Sequence, residues 1–258
     1  MRASAFSTSL GQSRAPDVSP PTAINQVVVV VPAHNEEDLL HDCLASVLVA
    51  ADNTPCTVTV TVVLDACTDS TARRVPLGVD VIACTFASVG AARRAGFAQH
   101  ESQRTHVSAR TWFASTDADS RVPSDWLAQQ VAVADTGADC YLGTVTPDGW
   151  TGWTPGVAQR YAESYRHEEG HGHIHGANFG IRASTYDAVG GFAPIPHGED
   201  VELVHRVRAS GALIVASHRA PVVTSTRARG RADHGFAAHL RSLAQAAGPV
   251  AAQAGGRA

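Results

Sequence analysis

Along the first half of the chain, short β-branched runs alternate with stretches of helical spacing. After Gln26, the run through residue 31 is all valine and is closed by Pro32, which predicts a strand buried on both faces of a parallel sheet. Over 36–51, Leu39, Leu40, Leu44, Val47 and Leu48 recur at a helical period. Glu36, Glu37 and Asp38 put carboxylates at the start of that helix, where its dipole favours them. A second strand is predicted over 57–64, a short helix over 69–71, a third strand over 79–84, a helix over 89–99, and a fourth strand over 111–116 ending on Asp117. The second half is less regular. It predicts a helix over 123–134 with Pro123 at its first position, a strand over 139–146, and a helix over 153–169. A strand over 176–182, a helix over 198–210, a strand over 212–216 and an amphipathic helix over 235–247 follow.

Such alternation implies an α/β fold with a mainly parallel, doubly wound sheet, helices on both faces and a mixed second half. Right-handed crossovers bring the carboxyl ends of the parallel strands, and the ligand crevice, to one edge. The residues that follow those ends are Pro32-Ala33-His34-Asn35-Glu36, Asp65-Ala66-Cys67-Thr68-Asp69 and Asp117-Ala118-Asp119. All three segments are polar and carry carboxylates.

Composition narrows the chemistry. With 44% hydrophobic and 17% charged residues, the 258-residue chain suits one globular domain with a substantial core. A net charge of −4 gives no electrostatic case for nucleic acid or an anionic membrane as partner. Every basic side chain is arginine, which excludes lysine Schiff-base chemistry and a Walker-type phosphate loop. The five cysteines are odd in number and never spaced Cys-x-x-Cys, against both a zinc knuckle and a disulfide framework. No apolar run approaches the roughly 20 residues of a bilayer span. Residues 1–24 are rich in Ser, Pro and Ala and predict a disordered tail without a signal-peptide core, so the expected location is cytoplasmic.

Asp117 and Asp119, two residues apart just past a buried strand, concentrate negative charge that a cation relieves. Oxygen ligands of this kind suit Mg²⁺ or Mn²⁺ bridging to substrate phosphates. A solvated turn carries the same pair, so the weight comes from Asp65 at a neighbouring strand end. No Gly-x-Gly-x-x-Gly follows the first strand, which disfavours a dinucleotide-binding dehydrogenase.

These residues resemble the family-2 glycosyltransferases of the GT-A fold. The likeness runs from residue 26 to about 243, in that family's motif order. It begins with Val28 to Glu37, similar to its opening strand and P-x-x-N-E turn, and continues in Leu64-Asp65 to Thr71. Ala92-Arg93-Arg94-Ala95-Gly96 resembles its A-R-N-x-G helix, with Arg94 in place of the usual Asn. Asp117-Ala118-Asp119 with Pro123 and Trp126 is similar to its DXD segment. Gly176 to Arg182 resembles its acceptor-side strand, and Gly198-Glu199-Asp200 the Glu-Asp motif opening the next helix.

The resemblance implies a metal-dependent transfer of one sugar from a nucleotide-sugar, UDP-sugar favoured, to an acceptor hydroxyl with inversion. In that reading 25–122 binds the donor, 123–248 forms the acceptor side of the same domain, and 249–258 is a flexible tail. Pro32, Ala33, Asn35, Glu36 and Asp65 would line the nucleotide pocket, with Arg93 near the base or diphosphate. Asp117, Ala118 and Asp119 would meet ribose and metal, with Asp119 the direct ligand of Mn²⁺ or Mg²⁺. Asp200 would be the general base beside Glu199, and Trp153, His175, Asn178 and Gly198 would face the acceptor. The family's late histidine ligand has two candidates, His218 and His234, between which the sequence does not choose.

Other features stay open at this level. His171, His173 and His175 alternate and would share one face of an extended segment, a spacing that fits a transition metal or a mobile loop. Thr226-Arg227-Ala228-Arg229-Gly230-Arg231 is a basic patch suited to a diphosphate or to open solvent. Trp150 and Trp153 suit sugar stacking or core packing. The alternative activities are a sugar nucleotidyltransferase, for which the turn after the first strand lacks a basic Gly-rich loop, and a degenerate domain that only binds.

Overall fold

The computed structural model describes residues 22–102, 108–227 and 235–245, so His234 and both predicted tails lie outside the described residues, apart from residues 22–24. Eight strands form one sheet in the order β3-β2-β1-β4-β7-β6-β8-β5. They are β1 (Gln26–Ala33), β2 (Thr57–Asp65), β3 (Asp80–Cys84), β4 (Thr111–Ser115), β5 (Ser120–Arg121), β6 (Cys140–Pro147), β7 (Phe179–Arg182) and β8 (Ile214–Thr224). The first four run parallel, as the buried valine run predicts; β7 is antiparallel to both β4 and β6, and β8 is parallel to β6.

The helices are α1 (Leu40–Asp52), α2 (Val89–Ser102), α3 (Trp126–Asp135), α4 (Pro155–Ser164), α5 (Ala183–Ala188), α6 (Glu199–Ala209) and α7 (Phe236–Gln245). Successive valines of β1 point to opposite faces. Val27, Val29 and Val31 pack in one core with residues of α1, α3, α4 and α7. Val28 and Val30 pack in the other with residues of α2, α5 and α6, where Phe97 and Phe113 stack 4.5 Å apart.

Four predicted elements are corrected. The first helix starts at Leu40 rather than at residue 36, because Glu36 and Glu37 are held in a preceding turn; the Glu36 amide donates to Thr71 Oγ1 at 2.7 Å. Pro123 sits in a turn closed by Trp126 N–H on its carbonyl, three residues before α3. The helix predicted over 153–169 shrinks to α4, with Pro155 in its first turn. The strand predicted over 212–216 continues to Thr224 through an irregularity: Gly143 pairs with Ser217, but Val145 pairs with Val222. The extra residues bulge out of β8 and include Pro221, which has no N–H to donate.

Asn178 ties the second half together. Wholly buried, it accepts a hydrogen bond from Trp126 Nε1 at 2.8 Å and donates from Nδ2 to the Thr144 and Ala220 carbonyls, each at 2.8 Å. This requires glycine opposite: a Cβ at Gly143 would overlap the Asn178 carboxamide. Gly143→Ala is therefore expected to lower unfolding free energy by about 1–3 kcal/mol through overpacking. Asn178→Ala should cost at least as much, since it orphans a buried donor and two carbonyls at about 1–3 kcal/mol each. Urea titration checks both; an unchanged midpoint for either variant contradicts the account.

Candidate active site

The sheet's polarity decides what meets at its carboxyl edge. β1, β2, β3 and β4 deliver their following loops there. Because β7 is reversed, its N-terminal end arrives beside the end of β4, with Phe179 opposite Ser115. β8 runs with β6, hence in the sense of β4, and brings Thr224 to pair with Ser120. Non-glycine residues with left-handed backbone occur in three of these loops: Asn35 (φ 54°), Ala66 (φ 52°) and Ala87 (φ 49°). Alanine at such angles is strained, and strain of this kind collects at functional edges.

At the centre lies Arg93, on α2. It is 2% exposed, and its guanidinium pairs with Asp117 Oδ1 at 2.5 Å and with Glu199 Oε1. Nε also donates to Ser115 Oγ at 3.1 Å, and the charge lies 5.6 Å from the Phe192 ring centroid. Gly176 is glycine for the same reason as Gly143, since a Cβ there would overlap the guanidinium. Arg93, expected near a base or diphosphate, is held in a buried clamp between two carboxylates. Burial pushes the Glu199 carboxyl up, and Arg93 opposes that shift. Glu199 is 5% exposed and committed to the clamp. Its neighbour Asp200 is half-buried: Oδ2 accepts the Gly176 amide and Oδ1 the Val201 amide, both at 2.8 Å.

Asp117 remains 39% exposed at the side chain, and Asp119 17%. Burial first, then the charge of Asp117, pushes the Asp119 carboxyl up to about 7, with Arg227 opposing. Arg227 donates to both carboxylate oxygens of Glu36, at 2.6 and 2.7 Å, and lies 3.0 Å from Asp119 Oδ2. The sequence offers this residue as part of a basic patch suited to a diphosphate or to solvent; its pairing with Glu36 and Asp119 follows from its position after β8.

The other expected residues divide. Pro32, Ala33 and Ala118 are buried supports of the edge. Asn35 bonds Thr68 N–H at 2.7 Å and so joins the first two loops. Asp65 is 5% exposed, and its oxygens accept the amides of Ala87 and Ser88 at 2.9 Å, which fixes the entry to α2. Gly198, exposed with φ 72°, caps α6. Asn178 is structural, as described. Trp153 Nε1 donates to the Thr226 carbonyl at 2.6 Å and Trp150 packs on Tyr161, so both belong with the core and the loop before Arg227. His218, exposed on β8, pairs with Glu169 at 3.5 Å and not with Asp119.

The histidine row forms a stacked ladder instead of a metal centre. The His173 ring lies 3.9 Å from that of Tyr165, nearly parallel to it, and the His171 and His175 rings lie 5.4 and 5.9 Å from that of His173. His171 Nε2 meets the Ser217 carbonyl at 3.3 Å and His175 Nε2 meets Tyr165 Oη at 2.9 Å. Among the described residues no group of three His, Cys, Asp or Glu converges as a metal cage. The carboxyl edge nonetheless fits a hard divalent ion of the kind held by one or two carboxylates plus phosphate oxygens. Glu36, Asp117, Asp119, Glu199 and Asp200 give five carboxylates against the two guanidinium groups of Arg93 and Arg227.

The sequence profile of Glycosyl transferase family 2 matches residues 28–162. No curated protein matches the chain. Among solved structures, S. aureus TarS 1–349 in complex with UDP-GlcNAc is 16% identical, with TM-score 0.58 over 84% of this chain and 65% of that one. Mannosyltransferase PcManGT from Pyrobaculum calidifontis, in complex with GDP-Man and Mn²⁺, is 20% identical, with TM-score 0.59 over 84% and 62%. GalNAc-T7 with UDP, GalNAc and Mn²⁺ is 16% identical, with TM-score 0.55 over 80% and 44%. The chain thus spans less than two thirds of each of these, and the likeness establishes the GT-A fold.

Two outcomes are expected from this geometry. Arg93→Ala leaves Asp117 and Glu199 without their buried counter-charge and should destabilise the fold by about 3–5 kcal/mol, with Arg93→Lys recovering part; equal unfolding free energies would refute the clamp. Burial, then the neighbouring His173, His171 and His239, holds His175 down to about 3. The unfolded imidazole titrates near 6.5, so its contribution is present above that pH and is lost as pH falls toward 3, at up to about 1.4 kcal/mol per pH unit. His175→Gln should flatten the stability profile between pH 6.5 and 4 relative to the unaltered chain; parallel profiles in urea would contradict this.

Proposed function

Because the chain belongs to Glycosyl transferase family 2, we propose that it transfers one sugar from a nucleotide-sugar donor, with a UDP-sugar favoured, to an acceptor hydroxyl with inversion. The observation that carries the proposal is the bridge from Asp117 through Arg93 to Glu199, which fixes Asp200 at the same edge as Asp119. Donors in the similar structures are UDP-GlcNAc in TarS and GDP-Man in PcManGT, and Mn²⁺ accompanies the latter.

Asp119, with Asp117 beside it, would hold a Mn²⁺ or Mg²⁺ ion, which when bound neutralises charge on the departing nucleoside diphosphate. Asp200 is the general base. Each of its oxygens accepts one backbone amide and keeps a lone pair, so the carboxylate is oriented while still able to take a proton. The acceptor oxygen bonds to the anomeric carbon as its proton passes to Asp200. The bond from that carbon to the phosphate oxygen breaks on the opposite face, leaving nucleoside diphosphate and an inverted anomer. Arg93 acts by position: it anchors Glu199, and with it the start of α6.

Asp200→Asn is expected to retain the thermal shift produced by Mn²⁺ and UDP-sugar while turnover falls about 10²- to 10⁴-fold, the usual worth of a positioned base. NMR of the first-formed product should show inversion. A retained anomer, or full turnover in the variant, removes Asp200 as base.

A further inference from the structure

Arg227 sits where the donor edge gathers its negative charge. The guanidinium donates to both oxygens of Glu36 and reaches Asp119 Oδ2 at 3.0 Å. The strand end before it is pinned at three points. Ser225 N–H donates to the Asp119 carbonyl at 3.1 Å, Trp153 Nε1 to the Thr226 carbonyl at 2.6 Å, and Arg227 N–H to Ser225 Oγ at 3.3 Å. Its side chain is 25% exposed, against 3% for Arg93, and its buried Nε has no hydrogen-bond partner among the described residues. The contact is therefore built by the fold yet left open on one side.

We infer that Arg227 is a resident counter-cation of the donor site, which holds Glu36 and Asp119 in the cation-free state and must release Asp119 before a divalent ion can use that carboxylate. The inference rests on reading Asp119 as the metal ligand. Two cations on one partly buried carboxylate repel each other more strongly than in open water, so guanidinium and ion exclude each other there. A diphosphate changes the balance, because its oxygens offer the guanidinium fork an equivalent partner. Metal and nucleotide then bind with positive coupling, each relieving a cost the other would meet alone.

Free Mn²⁺ measured by electron paramagnetic resonance, with and without UDP, tests this. Arg227→Gln should bind Mn²⁺ alone on the order of tenfold more tightly than the unaltered chain, the worth of one charged hydrogen bond released, and UDP should then add less. Arg166→Gln removes the same charge from a side chain 78% exposed and should change nothing. An affinity for Mn²⁺ alone that is equal or weaker in Arg227→Gln, or equally raised in Arg166→Gln, overturns the inference. In the unaltered chain, phenylglyoxal labelling of Arg227 should rise when Mn²⁺ is added, and constant labelling would contradict release even if the variant does not fold. Failure of Mn²⁺ to bind either chain with UDP present instead rejects the metal-dependent donor reading, and this inference with it.

Discussion

A guanidinium removed from water is costly unless every charge it faces is opposed, and the active edge of this protein is organised by one such group. Arg93 meets Asp117 from the loop after β4 and Glu199 from the start of α6, while Ser115 takes its Nε–H. Two segments distant in sequence, the end of β4 with the loop after it and the start of α6, are thereby fixed to one point on α2. The approach is close enough that position 176 has no room for a Cβ. Asp200 follows Glu199 on the first turn of α6, so its location is a consequence of the clamp, and the Gly176 amide completes it.

The parts legible in the sequence are those governed by period and by the end of a pattern. An all-valine run has no polar face, so a parallel strand buried on both sides is its only comfortable state, and β1 is that strand. Carboxylates just past such runs fall on one edge because crossovers have one hand. Period says nothing of polar partners. Arg93 and Asn178 read as ligand contacts, yet each is buried and spent on the protein itself, and the facing glycines Gly176 and Gly143 show their reason only when the backbones are brought together. The end of β8 was hidden for a related cause: polar His218 and Arg219 and the bulge around Pro221 interrupt alternation while pairing with β6 continues on both sides. At six residues, α5 is too short to give a helical period that stands out from its surroundings.

The reversal of β7 is what makes one edge serve both halves of the chain. A wholly parallel sheet would have sent the loop before β7 to the opposite edge. Antiparallel pairing of Ser115 with Phe179 instead places Gly176 and Asn178 beside the end of β4. The parallel return of β8 then brings Ser225 against the Asp119 carbonyl. Asp117 and Asp119 from the first half and Glu199 and Asp200 from the second therefore share an edge through topology, and side-chain pairing refines what topology brings near.

The two arginines that face these carboxylates differ in what holds them, and the difference sorts their work. Arg93 projects from the body of a helix, is 3% exposed at its side chain and touches carboxylates from two elements, so removing it exposes uncompensated charge inside the protein. Arg227 follows a strand end, keeps a quarter of its side chain in solvent and has a buried N–H with no partner among the described residues. A phosphate oxygen can replace its carboxylate partners, because the fork of its guanidinium is reachable from the solvent side. One cation of each kind therefore faces the carboxylates of this edge. Arg93 takes Asp117 and Arg227 takes Asp119, so the two carboxylates of one short loop answer to cations held in different ways.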